Sequence, residues 1–125
     1  MHLEHVNLTV NSVPRSIDFY RNLLNLDLRW EGTNGSGRRA AHIGDDRSYL
    51  ALFEAAEPSQ AVEDYSRTGL NHIGFVVDDL DEMKARLIRL GVEPHQEEDY
   101  EPGKRLYFYD LNGIEVELVE YPQSA

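Results

Sequence analysis

The feature that most constrains this chain is an internal duplication. The segment His5-Val6-Asn7-Leu8-Thr9-Val10 recurs 67 positions later as His72-Ile73-Gly74-Phe75-Val76-Val77. Both copies alternate as half-buried strands do, and both run into a stretch with a helix-start signal. The first signal is Ser12 with Pro14 in the first turn; the second is the capping box of Asp79 with Glu82. The two helices are expected to bury Val13, Ile17, Tyr20 and Leu24 in one copy, and Leu80, Met83, Leu87 and Leu90 in the other. Hairpins follow: residues 38–43 and 48–54 in the first copy, 104–109 and 114–120 in the second. There Leu50-Ala51-Leu52-Phe53-Glu54 aligns with Val116-Glu117-Leu118-Val119-Glu120 at an offset of 66. Short strands near 28–30 and 93–95 complete each half.

The predicted fold class is therefore α+β, one domain of 125 residues made of two tandem βαβββ modules. Module 1 covers about residues 1–55, an acidic connector about 56–69, and module 2 about 70–122. Each helix covers one face of its sheet, and the two free faces are expected to curl into a cup. Strand parity then sorts the side chains. His5, Asn7 and Thr9 line the cup, as do His72, Gly74 and Val76. So do Tyr49, Ala51 and Phe53 in the first copy, and Glu115, Glu117 and Val119 in the second.

Two histidines at one repeated position, with a carboxylate on the facing strand, make His5, His72 and Glu117 the candidate metal ligands. Two imidazoles and one carboxylate leave coordination positions open for water and substrate, as a catalytic ion requires. This donor set suits Fe, Mn, Zn, Ni or Co and does not choose among them. His2 and His95 have no repeat partner, and His42 aligns with Phe108 on the core side; these three are read as incidental.

Composition narrows the function classes. The chain has no cysteine, which excludes thiolate catalysis and Cys-ligated zinc. A net charge of -11 with no basic stripe argues against nucleic acid and anionic membranes as partners. No apolar run is long enough to span a bilayer, and the N-terminus lacks the layout of a signal peptide, so a cytoplasmic location is expected.

The order of motifs resembles the vicinal-oxygen-chelate superfamily of glyoxalases, bleomycin-resistance proteins and extradiol dioxygenases. The residues that carry the resemblance are His5 to Val10, Ser16-Ile17-Asp18-Phe19-Tyr20, Leu23-Leu24, His72 to Val77, and Asp110-Leu111-Asn112-Gly113-Ile114-Glu115-Val116-Glu117-Leu118. The resemblance implies a homodimer and a divalent ion that chelates adjacent oxygens of a small-molecule substrate. Four-ligand members such as glyoxalase I carry a carboxylate or Gln where this chain has Ala51, so the pattern is similar to the three-ligand branches: extradiol dioxygenases and fosfomycin-resistance thiol transferases. In both, a Tyr approaches the reacting oxygen from the position of Tyr107.

The expected function is metal-assisted lyase, transferase or dioxygenase chemistry on an oxygen-rich molecule, with Tyr107 and Glu115 as candidate catalytic groups. Asn7, Tyr49, Phe53 and Tyr109 are the candidate substrate-binding residues. A fosfomycin substrate is disfavoured, because a phosphonate needs convergent cations while Glu97, Glu98, Asp99 and Glu101 fill the relevant loop. Lys104 and Arg105 are read there as strand-edge charges. The alternative class is a bleomycin-resistance-like protein that sequesters a ligand without chemistry.

Overall fold

Alternation and capping produce the expected element order in the computed structural model, which describes residues 1–122. The elements are β1 (His5–Val10), α1 (Val13–Leu24), β2 (Asp27–Thr33), β3 (Arg39–Gly44) and β4 (Tyr49–Glu54), then β5 (Ile73–Val76), α2 (Leu80–Arg89), β6 (Gln96–Tyr100), β7 (Gly103–Tyr109) and β8 (Glu115–Glu120). They form two compact units, Met1–Ser59 and Gln60–Ala125. Each holds a four-stranded sheet of the same topology, β1-β4-β3-β2 in one and β5-β8-β7-β6 in the other. The first and last strands of each module pair in parallel, which makes the last strand central. The predicted βαβββ modules are thus present in both halves. The short strand expected near 93–95 lies slightly later, as β6.

In the first unit α1 packs on β3 and β4, burying Val13, Ile17, Tyr20 and Leu23 with Leu8, Ile43, Leu50 and Leu52. Leu24 is half-buried, because the αL residue Asn25 ends the helix just behind it. In the second unit α2 packs on β7 and β8, where Leu80 and Leu87 are buried with Leu106, Phe108, Val116 and Leu118. Met83 and Leu90 are half-buried.

Both helix starts follow the sequence signals: the Ser12 side chain accepts from the Arg15 N–H and the Asp79 side chain from the Glu82 N–H. A second cap recurs in both units. Glu54 Oε1 accepts from Val13 N at 3.0 Å, and Glu120 Oε1 from Leu80 N at 2.8 Å. A carboxylate there satisfies an orphan N–H and meets the positive end of the helix dipole. Glu54 is thereby held on the helix side of its sheet, away from the ligand positions.

The register of the hairpins corrects one expectation. His42 pairs with Ala51, and Tyr107 pairs with Glu117. His42 is therefore the counterpart of Tyr107, not Phe108, and stands on the free face beside Trp30. The cause is turn length. Gly44 pairs with Tyr49 across residues 45–48, while Tyr109 pairs with Glu115 across 110–114, one residue more. The longer turn is closed by Asp110, whose Oδ1 accepts from Asn112 and Ile114, and by Gly113 at φ 82°.

Candidate functional site

The site builds outward from β8, the central strand of the second sheet. Glu115 and Glu117 are both buried on its free face, joined by Arg105, Tyr107 and Tyr109 from β7. His72 lies one residue before β5, the other neighbour of β8. Its Nε2 is 3.0 Å from Glu117 Oε1. The other oxygen of Glu117 receives Arg105 Nη1 at 3.0 Å, with both side chains largely buried. Arg105 is therefore a buried counter-charge, not the strand-edge charge its sequence context suggested.

A second cluster adjoins the first. Glu115 accepts a short hydrogen bond from the Tyr65 hydroxyl and lies 2.9 Å from His95 Nε2 through its other oxygen. The Tyr65 oxygen is also 3.1 Å from His72 Nδ1. Tyr109 donates to Glu63 Oε1 at 3.0 Å, and its ring stacks on His95 with centroids 4.4 Å apart. His95 is thus part of the site rather than incidental. Glu63 and Tyr65 come from the stretch read as a connector, which from Gln60 onward belongs to the second unit and is tied to it by the Ala61 N–H donating to the Asn112 carbonyl at 2.8 Å. Their contribution was missed because a coil carries no periodicity that could place it.

Electrostatics divides these groups. Burial pushes the Glu63 carboxyl up, and its hydrogen bond to Glu115 pushes the same way. Burial raises Glu115 as well, but the hydrogen bonds from Tyr65 and Glu63, with His95 and His72 alongside, outweigh it and leave Glu115 below its ordinary value. The two carboxyls are thus pushed apart, Glu63 upward and Glu115 downward. Burial, followed by the Glu117 charge, pushes Tyr107 up, so its hydroxyl keeps its proton at neutral pH. Its ring meets His72 edge-on at 5.6 Å.

The first unit carries its own ring array. His5, at the repeat position of His72, stacks on Tyr49 at 4.9 Å, and its Nδ1 is 2.9 Å from Glu4 Oε1. A carboxylate can only accept, so the contact is made from the Nδ1–H of His5. His42 lies 4.5 Å from Tyr49 and 5.0 Å from Trp30. The Tyr49 hydroxyl donates to Glu4 at 3.3 Å, and Arg29 covers its ring. Phe53 lines a groove of about 560 Å³ with Trp30, Ala40 and His42. The Asn7 amide is committed to the Ala51 carbonyl at 3.0 Å.

Of the three ligands expected from the sequence, the structure brings His72 and Glu117 together within one unit. Among the described residues, no group of three or more His, Asp or Glu side chains is arranged to hold an ion. His72 and Glu117 meet there in a 3.0 Å hydrogen bond, and an imidazole and a carboxylate converging on one point are a donor chemistry that suits a divalent ion.

Two four-stranded βαβββ units with an imidazole and a carboxylate converging on the free face of one sheet define a class. The chain belongs to the glyoxalase/bleomycin resistance protein/dioxygenase superfamily, whose model matches residues 2–118. It is 28% identical over 120 residues to metallothiol transferase FosB of Staphylococcus epidermidis, covering 93% of this chain and 81% of that one. It is 27% identical over 128 residues to catechol-2,3-dioxygenase of Bacillus subtilis, covering 99% of this chain but 43% of that protein. A glyoxylase/bleomycin resistance protein/dioxygenase domain from Frankia sp. EAN1pec shares the fold at a TM-score of 0.83 and 24% identity, covering 100% of this chain and 95% of that one. A mutant of the fosfomycin resistance protein FosX of Listeria monocytogenes, solved with Mn(II) and 1S,2S-dihydroxypropylphosphonic acid, does so at 0.76 and 24%, covering 94% and 90%. No helix among the described residues is long and apolar enough to cross a membrane.

Proposed function

We propose that this chain is a divalent-metal-dependent enzyme acting on two adjacent oxygens of a small substrate, with His5, His72 and Glu117 as the protein ligands. The observation that carries this reading is the convergence of His72 Nε2 and Glu117 Oε1 at 3.0 Å on neighbouring strands. His5, at the matching position of the first repeat, has its Nδ1 on Glu4 Oε1 at 2.9 Å and is the third donor of the proposed set. The relatives support the class: both are named as enzymes, and one structural neighbour was solved with Mn(II) and a dihydroxy compound. They do not favour ligand sequestration without chemistry.

A bound ion would supply a Lewis acid that polarises substrate oxygen. The chain's own residues do the rest. Tyr107, kept protonated, donates a hydrogen bond to the oxygen that gains negative charge. Glu63, whose carboxyl is pushed up, lies against Glu115, whose carboxyl is held down by Tyr65, so a proton is taken up more readily by Glu63 than by Glu115. Arg105 neutralises Glu117 and fixes its rotamer. Tyr49, Phe53 and Tyr109 present ring surface to the substrate, and Asn7 holds the strand beside them.

A second reading, thiol transfer to a fosfomycin-like epoxide, is favoured by the similarity to FosB. It is opposed by the commitment of Arg105 to Glu117, since a phosphonate needs cations of its own. Titration of the metal-free protein with Mn(II), Zn(II) and Fe(II) tests the main proposal. One ion per set of ligands is expected, and His72→Ala should weaken binding on the order of a hundredfold or more. Equal affinity in His72→Ala would overturn the ligand assignment.

We further propose that the protein works as a homodimer. Both sheets have open edges at β1, β2, β5 and β6, and Val76 on β5 is 69% exposed while Trp30 on β2 is 44% exposed. Unpaired strand edges carrying apolar side chains favour pairing with a second copy. Sedimentation at micromolar concentration should report twice the chain mass of 14.3 kDa; a monomer throughout would rule the dimer out.

A further inference from the structure

The groove of about 560 Å³ on the free face of the first sheet is lined by an arginine, aromatic rings and no carboxylate. Arg29, Trp30, Asn34, His42 and Phe53 supply its larger side chains, and Gly35 and Ala40 keep it open. In a chain with 23 acidic residues and a net charge of -11, a groove that holds an arginine and excludes every Asp and Glu is unusual. Its volume is in the range that takes a small organic molecule.

A β-bulge brings the cation and the largest ring together. Leu28 pairs with the buried core residue Ile43 and Trp30 pairs with His42, so Arg29 is the extra residue between them. Regular alternation would send Arg29 and Trp30 to opposite faces of the sheet. The bulge turns both to the free face, where the Trp30 and His42 rings lie 5.0 Å apart and the Arg29 guanidinium covers the Tyr49 ring at 4.5 Å. Gly32 then seats the indole, because a Cβ at that position would come within 2.6 Å of its Cζ2. With glycine there the indole lies along the strand, and 44% of Trp30 remains exposed as a shelf.

Stacking on Tyr49 occupies the flat face of the Arg29 guanidinium and leaves its N–H edge for an acceptor. Glu4 and Asp45 feel its charge, yet among the described residues no carboxylate forms an ion pair with it. Asn34 adds a neutral donor. Its Oδ1 accepts from Ser36 N at 2.9 Å and Arg38 N at 3.1 Å, so what the side chain has left to offer is its amide NH2.

We propose that this groove is a binding site for a planar aromatic monocarboxylate, with the ring on Trp30 and the carboxylate on the N–H edge of Arg29. Each half of the site selects. An aromatic ring gains a stacking interaction that a saturated ring of the same size lacks, and a carboxylate gains a charge-assisted hydrogen bond that its amide lacks. All of these residues belong to the first unit, and none of the contacts requires an ion. The site therefore goes beyond the metal-dependent reading and does not rest on it.

Trp30 is the only tryptophan of the chain, so its single indole N–H resonance reports on the groove directly. Full-length protein prepared without metal is titrated at neutral pH with naphthoate, with naphthamide, and with the saturated decalin carboxylate. Naphthoate should shift the indole resonance saturably, with a dissociation constant of about a millimolar or below. Naphthamide and decalin carboxylate should each bind about tenfold more weakly. Arg29→Gln, at an exposed position, should remove the preference for naphthoate over naphthamide. Gly32→Ala should displace the indole and weaken naphthoate without removing any group that touches it. The proposal is overturned if the parent fails to bind naphthoate at millimolar concentration, or binds either control equally well; neither result needs a variant to fold. An undiminished preference for the carboxylate in Arg29→Gln would overturn it as well.

Discussion

Replacing Glu117 by alanine should do two separable things: abolish tight metal binding and destabilise the second unit. Both follow from the two partners its carboxylate holds. Oε1 faces His72 and is the proposed donor, so metal affinity should fall on the order of a thousandfold, more than the 10–100-fold typical of losing an outer partner. Oε2 is 3.0 Å from Arg105 Nη1, with 16% and 11% of the two side chains exposed. Removing one member of so buried a pair strands the other's charge, which costs about 3 kcal/mol. Arg105 is poorly placed to recover, because its Nε is already buried without a partner. For a domain of this size the melting temperature should drop by about ten degrees. Glu117→Gln separates the effects in part: its amide oxygen still accepts from Arg105 although the compensating charge is gone, so it should melt above Glu117→Ala while the metal is lost. Calorimetric melting and Mn(II) titration of both variants read the two arms. A Glu117→Gln protein that binds metal like the parent would remove Glu117 from the ligand set. A Glu117→Ala protein that melts like the parent would show that the Arg105 pair carries no stability.

How much of this was legible in the sequence depends on which residues had a period behind them. The strand alternation placed His5, His72 and Glu117 on the free faces, and the capping signals at Ser12 and Asp79 placed both helix starts. The same logic set Glu54 apart from the ligands, and its bond to Val13 N shows where it went. Misreading His42 came from assuming one offset across a hairpin whose turns differ by a residue; a one-residue slip moves a side chain to the other face. Glu63, Tyr65 and His95 could not be found by pattern at all. They lie in coil, where backbone direction is set by tertiary contacts such as that of Ala61 with Asn112. Arg105 was visible as a cation, but its partner is diagonal to it across two strands, a relation that single-strand parity does not rank.

The repeat also predicts what would happen if the missing carboxylate were restored to the first unit. Ala51 is the counterpart of Glu117 and is 5% exposed, with Asn7 and His42 as its cross-strand neighbours. Glu117 tolerates burial because Arg105 compensates it. Arg105 pairs with Val119 on β8, and the corresponding pair in the first sheet is Ala40 with Phe53, so the cation is missing along with the carboxylate. Ala51→Glu alone should therefore bury a charge without the counterpart of Arg105, screened only in part by Arg29 over the Tyr49 ring, and cost up to about 3 kcal/mol in the metal-free protein, lowering the melting temperature by up to about ten degrees. Ala40→Arg on the same chain supplies the counter-charge, and the groove of about 560 Å³ lined by Ala40, His42 and Phe53 has room for the guanidinium. The double variant should recover at least half of the loss, and a double-mutant cycle with Ala40→Arg alone isolates the coupling between the two side chains. Melting curves of the parent, the two single variants and the double variant decide the matter. A double variant no more stable than Ala51→Glu would show that the hairpin register does not bring the two positions together as it does in the second unit. An Ala51→Glu protein as stable as the parent would show that a carboxylate on this face needs no arginine, and the role given to Arg105 would fall with it.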